Sequence, residues 1–203
     1  MRYSDTHKEE TRNRILSVAS RQVRARGPDG VGVAEVMAEA GLTHGGFYAH
    51  FKSKDALIGA AIEAAFENRR AFFRNLPEAA DNAAFLERFV DSYISEIHRD
   101  RPERGCPVAT LSSDIPRQGE AARAAFDAGV KGLIHTISSR LTVGAPKDRD
   151  ALAGSLVAEM AGAVALARAV SDPELSDRLL EQSRRSVKAR MGLPHSSLES
   201  MTS

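Results

Sequence analysis

The chain has 203 residues, 42 % of them hydrophobic, and a formal net charge of +1, which is enough length for a sizeable core in one large or two small domains. No run approaches the roughly 18 consecutive apolar residues that mark a membrane span, and the polar, mixed-charge start MRYSDTHKEETRNR is unlike a secretory signal. A single cysteine excludes an internal disulfide and a cysteine-based zinc cluster, so the expectation is a reduced, cytoplasmic protein with no membrane partner and no cofactor.

Charge is unevenly spread. Residues 1–54 hold nine Lys/Arg against six Asp/Glu, a surplus of three positive charges, and the remainder carries a deficit of two. A basic N-terminal quarter fits phosphate neutralisation, although many solvated surfaces look the same.

Residues 8 to 26 read as one helix. Ile15, Ala19 and Val23 lie four apart with Leu16 and Val18 beside them, and Gly27-Pro28-Asp29-Gly30 ends the pattern. Lys8, Arg12, Arg14 and Arg21 fall on its outer face. Lys8, at the free end, is the one suited to reach a phosphate; the others read as a solvated face. Val33, Val36, Met37 and Ala40 then give one apolar face of a two-turn helix, which Gly41 can close in the left-handed conformation. Thr43 is placed to cap a second short helix through Phe47, Tyr48, Ala49, His50 and Phe51.

Two short helices joined by a Gly-containing turn make a helix-turn-helix, whose second helix enters the DNA major groove. Phe47 and Phe51, four apart, can anchor that helix in the core. Thr43, His44, Gly45, Gly46, Tyr48, Ala49 and His50 are left on the outer arc. Two adjacent glycines there cost roughly 1 kcal/mol each against alanine, which makes sense where backbone must approach another surface. Tyr48, His50, Lys52 and Lys54 supply a hydroxyl, an imidazole and two ammonium groups suited to phosphate oxygens. Ser53 is placed to cap the following helix, with Asp55 in its first turn.

The run from Gly41 to Leu57 (GLTHGGFYAHFKSKDAL) resembles the signature of the TetR family of bacterial transcriptional regulators, above all in Tyr-x-His-Phe-x-x-Lys. The match covers the first quarter of the chain without a gap. Gly46 stands where Ser or Thr is common, and Gly32 where a Ser or Thr cap usually opens the first helix of the motif.

Beyond the motif, helical spacing continues from Ser53 to about Asn75, where Leu76-Pro77 closes it, and Arg69, Arg70 and Arg74 complement the helix dipole. Phe85, Phe89, Tyr93 and Ile97 form a stripe that predicts one helix over residues 82–99. A charged loop over 99–105, a short helix from Cys106-Pro107 and a break at Ile115-Pro116 follow. Long helices are expected over 119–141 and 148–170, the second rich in Ala and Gly. The last helix starts at Asp172-Pro173 and stops at Gly192-Leu193-Pro194. The fold class is therefore all-α with about nine helices: a three-helix head over 1–52, a helical domain over 53–194, and a polar tail over 195–203.

The resemblance implies that the second domain binds a ligand and dimerises, the last two helices forming a four-helix bundle with those of a second subunit. Surplus apolar surface and small spacers on those helices agree. It also implies a pocket within residues 55–170, for which Phe73, Phe89, Tyr93, Cys106, Phe126, His135, Glu159 and Met160 are candidate lining groups. Each also reads as plain core, a hydrogen-bonded histidine or an ion pair. Cys106, at a helix start near Arg101 and Arg104, has the setting of a reactive thiol or of a small buried hydrophobe.

The function expected is a homodimeric regulator, a repressor by preference, which binds a near-palindromic double-stranded operator and is released by a small-molecule or electrophilic inducer. An enzyme using Cys106 with His98 or His135, and a non-specific DNA binder, are the alternatives. No Ser-His-Asp order, phosphate-binding glycine loop or metal-spaced histidine pair supports the enzyme.

Overall fold

The computed structural model describes residues 2–74, with side chains from Thr6 onward, and residues 81–193. Among these there are nine α-helices and no strand. They are α1 (Arg2–Arg26), α2 (Val33–Glu39), α3 (Lys54–Arg74), α4 (Asn82–Tyr93), α5 (Glu96–Asp100), α6 (Pro107–Leu111), α7 (Glu120–Ser138), α8 (Arg149–Ala169) and α9 (Pro173–Arg190). Short 3-10 stretches cover His44–Ala49, Pro102–Arg104, Ile115–Arg117 and Pro146–Asp148. The all-α architecture is the one the periodicity predicts. The expected stop at Leu76-Pro77 and the tail over 195–203 lie outside the described residues.

The chain forms two compact units: Met1–Asn75 with Arg101–Lys131, and Leu76–Asp100 with Gly132–Ser203. In the first, Ile15, Ala19 and Val23 of α1 are fully buried, as their spacing requires, together with Val36 and Met37 of α2, Phe47, and Leu57 and Ile62 of α3. The Ile, Val, Met, Phe and Leu side chains among them each contribute about 1.5–3 kcal/mol on burial. Ion pairs Arg26–Glu35 (2.5 Å) and Arg21–Glu39 (2.6 Å) brace α1 against α2, but both are exposed, so packing dominates. Gly59 lets α3 lie against α7: a Cβ there would stand 2.9 Å from the Ala121 carbonyl carbon and oxygen. Arg24 is buried, donating to the carbonyls of Ser20 (2.8 Å) and Gly105 (3.1 Å), and burial, then the charge of Arg69, pulls its pKa down to about 10.

In the second unit α8 packs along α9. Phe85, Phe89 and Tyr93 stack along α4 at 6.2 and 5.9 Å, with the Arg140 guanidinium 4.2 Å from the Phe85 ring centre. Lys188 of α9, almost wholly buried, reaches Asp91 (2.8 Å) and Glu87 (3.4 Å) of α4. Asp172 caps α9 by accepting from the amides of Glu174 and Leu175. The segment Pro146–Ala169 is long and apolar enough to cross a membrane by length and composition alone. Its buried residues, among them Leu156, Val157, Met160 and Val164, form part of this unit's core.

The aromatic stripe does not continue as one helix over 82–99. The backbone leaves the helix at Ile94 (φ −92°, ψ 77°), and α5 starts afresh after Ser95. Side chains take up the polar groups freed by the break. The Ser95 hydroxyl accepts from the His98 amide (3.2 Å), His98 Nδ1 donates to the Tyr93 carbonyl (2.6 Å), and Arg184 donates to the Ile94 carbonyl (3.3 Å). Arg168 holds the far end through the carbonyls of His98 (2.7 Å) and Arg99 (2.8 Å). Ile97, expected on the apolar stripe, is 74 % exposed as a result. The expected charged loop over 99–105 is correspondingly shorter, with α5 reaching Asp100 and a 3-10 turn at Pro102–Arg104.

Candidate nucleic-acid interface

The segment after α2 is built on a sharp helix stop. Gly41 has φ +73°; its amide bonds the Ala38 carbonyl (3.0 Å) and the Leu42 amide bonds the Met37 carbonyl (2.8 Å). This is the paired closure in which a left-handed residue is required. The chain then runs extended through Thr43 into the 3-10 stretch His44–Ala49. Thr43 occupies the cap position, but its side chain makes no cap hydrogen bond, and the regular element ends at Ala49, leaving Phe51 beyond it. The two adjacent glycines explain the weaker helix, since they disfavour helical backbone and offer no side chain to pack.

Phe47 and Phe51 are almost fully buried, with ring centres 5.8 Å apart. Held by these anchors, Thr43, His44, Gly45, Tyr48, Lys52 and Lys54 are exposed, and Gly46 and His50 are half-exposed. Among the described residues Tyr48 is the most open Phe or Tyr at 73 %. A Cβ on Gly45 would meet nothing within 4 Å, and one on Gly46 would make ordinary contact with Met37 Cε at 3.7 Å. Neither glycine has positive φ. The protein's own packing therefore does not require either of them.

Besides exposed Lys52, three further cations lie around this surface. Lys8 of α1 is exposed, Lys54 Nζ stands 3.5 Å from the Asp29 carbonyl, and Arg12 donates to the His50 carbonyl at 2.9 Å. Burial first, then the charges of Lys8 and Arg12, hold the His50 imidazole below its ordinary pKa. Ser53 accepts from the Ala56 amide (3.0 Å), capping α3 as its sequence position suggests. Arg12 is the residue that sequence reasoning missed. Its place on a charged helix face looks solvated, and only the fold brings Phe51 beneath it.

The eight candidate ligand-lining residues divide between the units. In the first, Phe73 is buried against Phe72 (5.3 Å) and beneath Arg69, Cys106 is 2 % exposed at the N-cap of α6, and Phe126 is edge-on to Phe66 (5.9 Å). In the second, Phe89, Tyr93 and Met160 are fully buried, Phe89 and Tyr93 stacking together, His135 is exposed, and Glu159 pairs with Arg190 at 2.6 Å. An open groove of about 370 Å³ lies between α3 and α7 in the first unit, lined by Gly59, Glu63, Phe66, Arg70, Ala125 and Gly129 among others. None of the eight candidates is among its lining residues. Among the described residues, no group of three or more His, Cys, Asp or Glu side chains is placed to hold a metal ion.

Two short helical elements about a glycine stop, the second exposing a polar face on buried aromatic anchors, define a helix-turn-helix protein. Comparison with known proteins gives the family. Residues 15–61 match the bacterial regulatory proteins of the tetR family, and residues 82–182 match the C-terminal domain of LmrA/YxaF-like transcriptional regulators. The chain belongs to the TetR family of transcriptional regulators. It is 26 % identical over 140 residues to the HTH-type transcriptional repressor NemR of Escherichia coli, covering 66 % of this chain and 69 % of NemR. It is 27 % identical over 125 residues to the repressor Rv3405c of Mycobacterium tuberculosis, covering 60 % of this chain and 64 % of that protein. Among solved structures, a TetR regulator from Chloroflexus aurantiacus superposes with a TM-score of 0.74 at 28 % identity, covering 92 % of this chain and 96 % of its own. The reduced form of E. coli NemR superposes at 0.75 and 23 % identity, covering 89 % and 96 %, and shares the fold.

Proposed function

We propose that this regulator is a homodimeric repressor that grips a near-palindromic operator through Thr43, His44, Gly45, Gly46, Tyr48, His50, Lys52 and Lys54, with Lys8 at the flank. The observation that carries the reading is Tyr48, which is exposed while both neighbouring phenylalanine anchors are buried. A solvated tyrosine on a rigid turn supplies a hydroxyl to phosphate or base edges at little entropic cost. The relatives NemR and Rv3405c are both described as repressors, which favours repression over activation.

In this reading residues 1–52 are the DNA-binding head and residues 53–194 bind ligand and dimerise. Dimerisation runs through α8 and α9, where Leu166 and Leu175 are exposed. A two-fold pair presents its recognition segments to half-sites about 34–36 Å apart. A small-molecule inducer releases the operator by as much as it prefers the free conformation over the DNA-bound one. Cys106 is buried, so an electrophile reaches it only when α6 opens, which favours a non-covalent inducer.

The test is affinity for a palindrome from the gene's own promoter against scrambled duplex at stated salt, with the mass of the complex measured alongside. A dimer that prefers the palindrome by at least about a thousandfold supports a specific repressor. Equal affinity for both duplexes, or a monomer on DNA, overturns it.

A further inference from the structure

Arg12 lies on α1, outside the residues 15–61 that match the family's N-terminal domain. Its guanidinium carbon sits 4.3 Å from the centre of the Phe51 ring, while Nη1 donates to the His50 carbonyl at 2.9 Å. Both partners stand where the recognition segment ends. The amides of His50 and Phe51 converge on one acceptor, the Phe47 carbonyl, at 2.9 and 3.0 Å. After that the 3-10 stretch has finished and the backbone turns toward Ser53. A carbonyl at such an end has no partner within its own element and must find a donor elsewhere. Arg12 supplies one, and its flat cation covers the anchoring ring at the same time.

We propose that Arg12 is a positioning residue for DNA recognition: it clamps the exit of the segment His44–Ala49 from α1, so that Tyr48 and His50 keep one orientation toward the duplex. The proposal rests on the reading that this segment binds DNA. Its geometry separates it from a simple phosphate contact. The guanidinium is half-buried and turned to a ring and a carbonyl, and it acts through its plane and its fork of donors as much as through its charge. A lysine would keep the charge at this position but could not stack flat on Phe51 while donating to His50. The clamp also joins α1, where Lys8 lies one turn earlier, to the surface carrying Tyr48. A phosphate held by Lys8 and one held near His50 would then be fixed at a set spacing by a single helix.

The experiment compares Arg12→Lys and Arg12→Met with wild type in the full chain. Without DNA, amide exchange over residues 47–51 should rise by at least about threefold in both variants, while the amides of Val36 to Ala40 keep wild-type rates. With DNA, both variants should bind the operator about tenfold more weakly, lose little affinity for scrambled duplex, and keep the wild-type salt slope. If Arg12→Met loosens the whole chain, Arg12→Lys carries the test, because it preserves the charge and the aliphatic stem. Wild-type exchange over 47–51 in Arg12→Lys, or restoration of full operator affinity by lysine, overturns the clamp. So does a salt slope lower by about one unit in Arg12→Met, which would make Arg12 a direct phosphate contact. A wild-type chain that binds no duplex at all would instead overturn the functional reading, whatever the exchange data show.

Discussion

Phe47 and Tyr48 are sequence neighbours whose rings meet edge to face at 5.2 Å, yet one is 2 % exposed and the other 73 %. The buried ring fixes the backbone, and the open ring inherits that rigidity. Tyr48→Ala should therefore leave the melting transition within about 0.5 kcal/mol of wild type while weakening operator binding by about 1–2 kcal/mol, roughly five- to thirtyfold. Thermal denaturation and a binding isotherm on the same preparation check both halves. Unchanged affinity would remove Tyr48 from the interface.

Gly45 and Gly46 make a sharper case, since the folded chain has room for a methyl at both. Alanine at either position should leave the protein as stable as wild type or raise its stability by up to about 1 kcal/mol. Operator affinity should nevertheless fall, most at the position nearest the duplex. If both variants bind as wild type does, close backbone approach is not the reason for these glycines.

Lys54 leans toward the Asp29 carbonyl at 3.5 Å, long enough to be exchanged for a phosphate. Lys54→Ala should weaken binding to specific and scrambled duplex alike and reduce the salt slope by about one unit. An unaltered slope would show that Lys54 serves the turn at Asp29 and not the duplex.

His50 gives a pH signature. Its folded pKa lies below the ordinary value near 6.5, so the unfolded chain takes up the proton first. The stability it contributes is complete above that value and is lost as pH falls through it toward the folded pKa. Phosphates act in the opposite direction by favouring imidazolium. Operator binding should thus take up a proton, and affinity at fixed salt should rise between about pH 7.5 and about pH 5.5. His50→Gln should flatten that rise. Equal slopes in both proteins would mean that no phosphate comes close to the ring.

The burial of Cys106 makes a prediction about induction. A slow alkylating reagent should modify the folded protein at least tenfold more slowly than the unfolded chain, by the order of protection that burial gives. Operator binding should survive the incubation. Rapid modification that releases DNA would instead favour an electrophilic inducer.

Legibility in the sequence followed the kind of signal. Gly41 was readable because a left-handed helix stop leaves a residue-specific mark, as was the Ser53 cap, whose bond spans three residues. The buried faces of α1 and α2 followed from spacing alone. The break at Ile94 was hidden, because apolar period continues across it and the stabilising donors, Arg168 and Arg184, come from 69 to 90 residues away. The same holds for Arg12, whose partners lie 38 and 39 residues further on. Local pattern records what a helix needs of itself and not what distant side chains supply. The division at 52/53 belongs with the proposed function, since compactness groups residues 1–75 with 101–131.

The chain has no tryptophan and only three tyrosines, and the structure puts two of them in opposite surroundings: Tyr48 in solvent and Tyr93 sealed in the second unit. Ultraviolet emission from the unlabelled protein is therefore a sum over tyrosines, to which one solvent-exposed ring beside the proposed DNA surface and one ring buried in the second unit both contribute. Quenching on titration with duplex should be larger in wild type than in Tyr48→Phe, and that difference isolates the exposed ring with no dye attached.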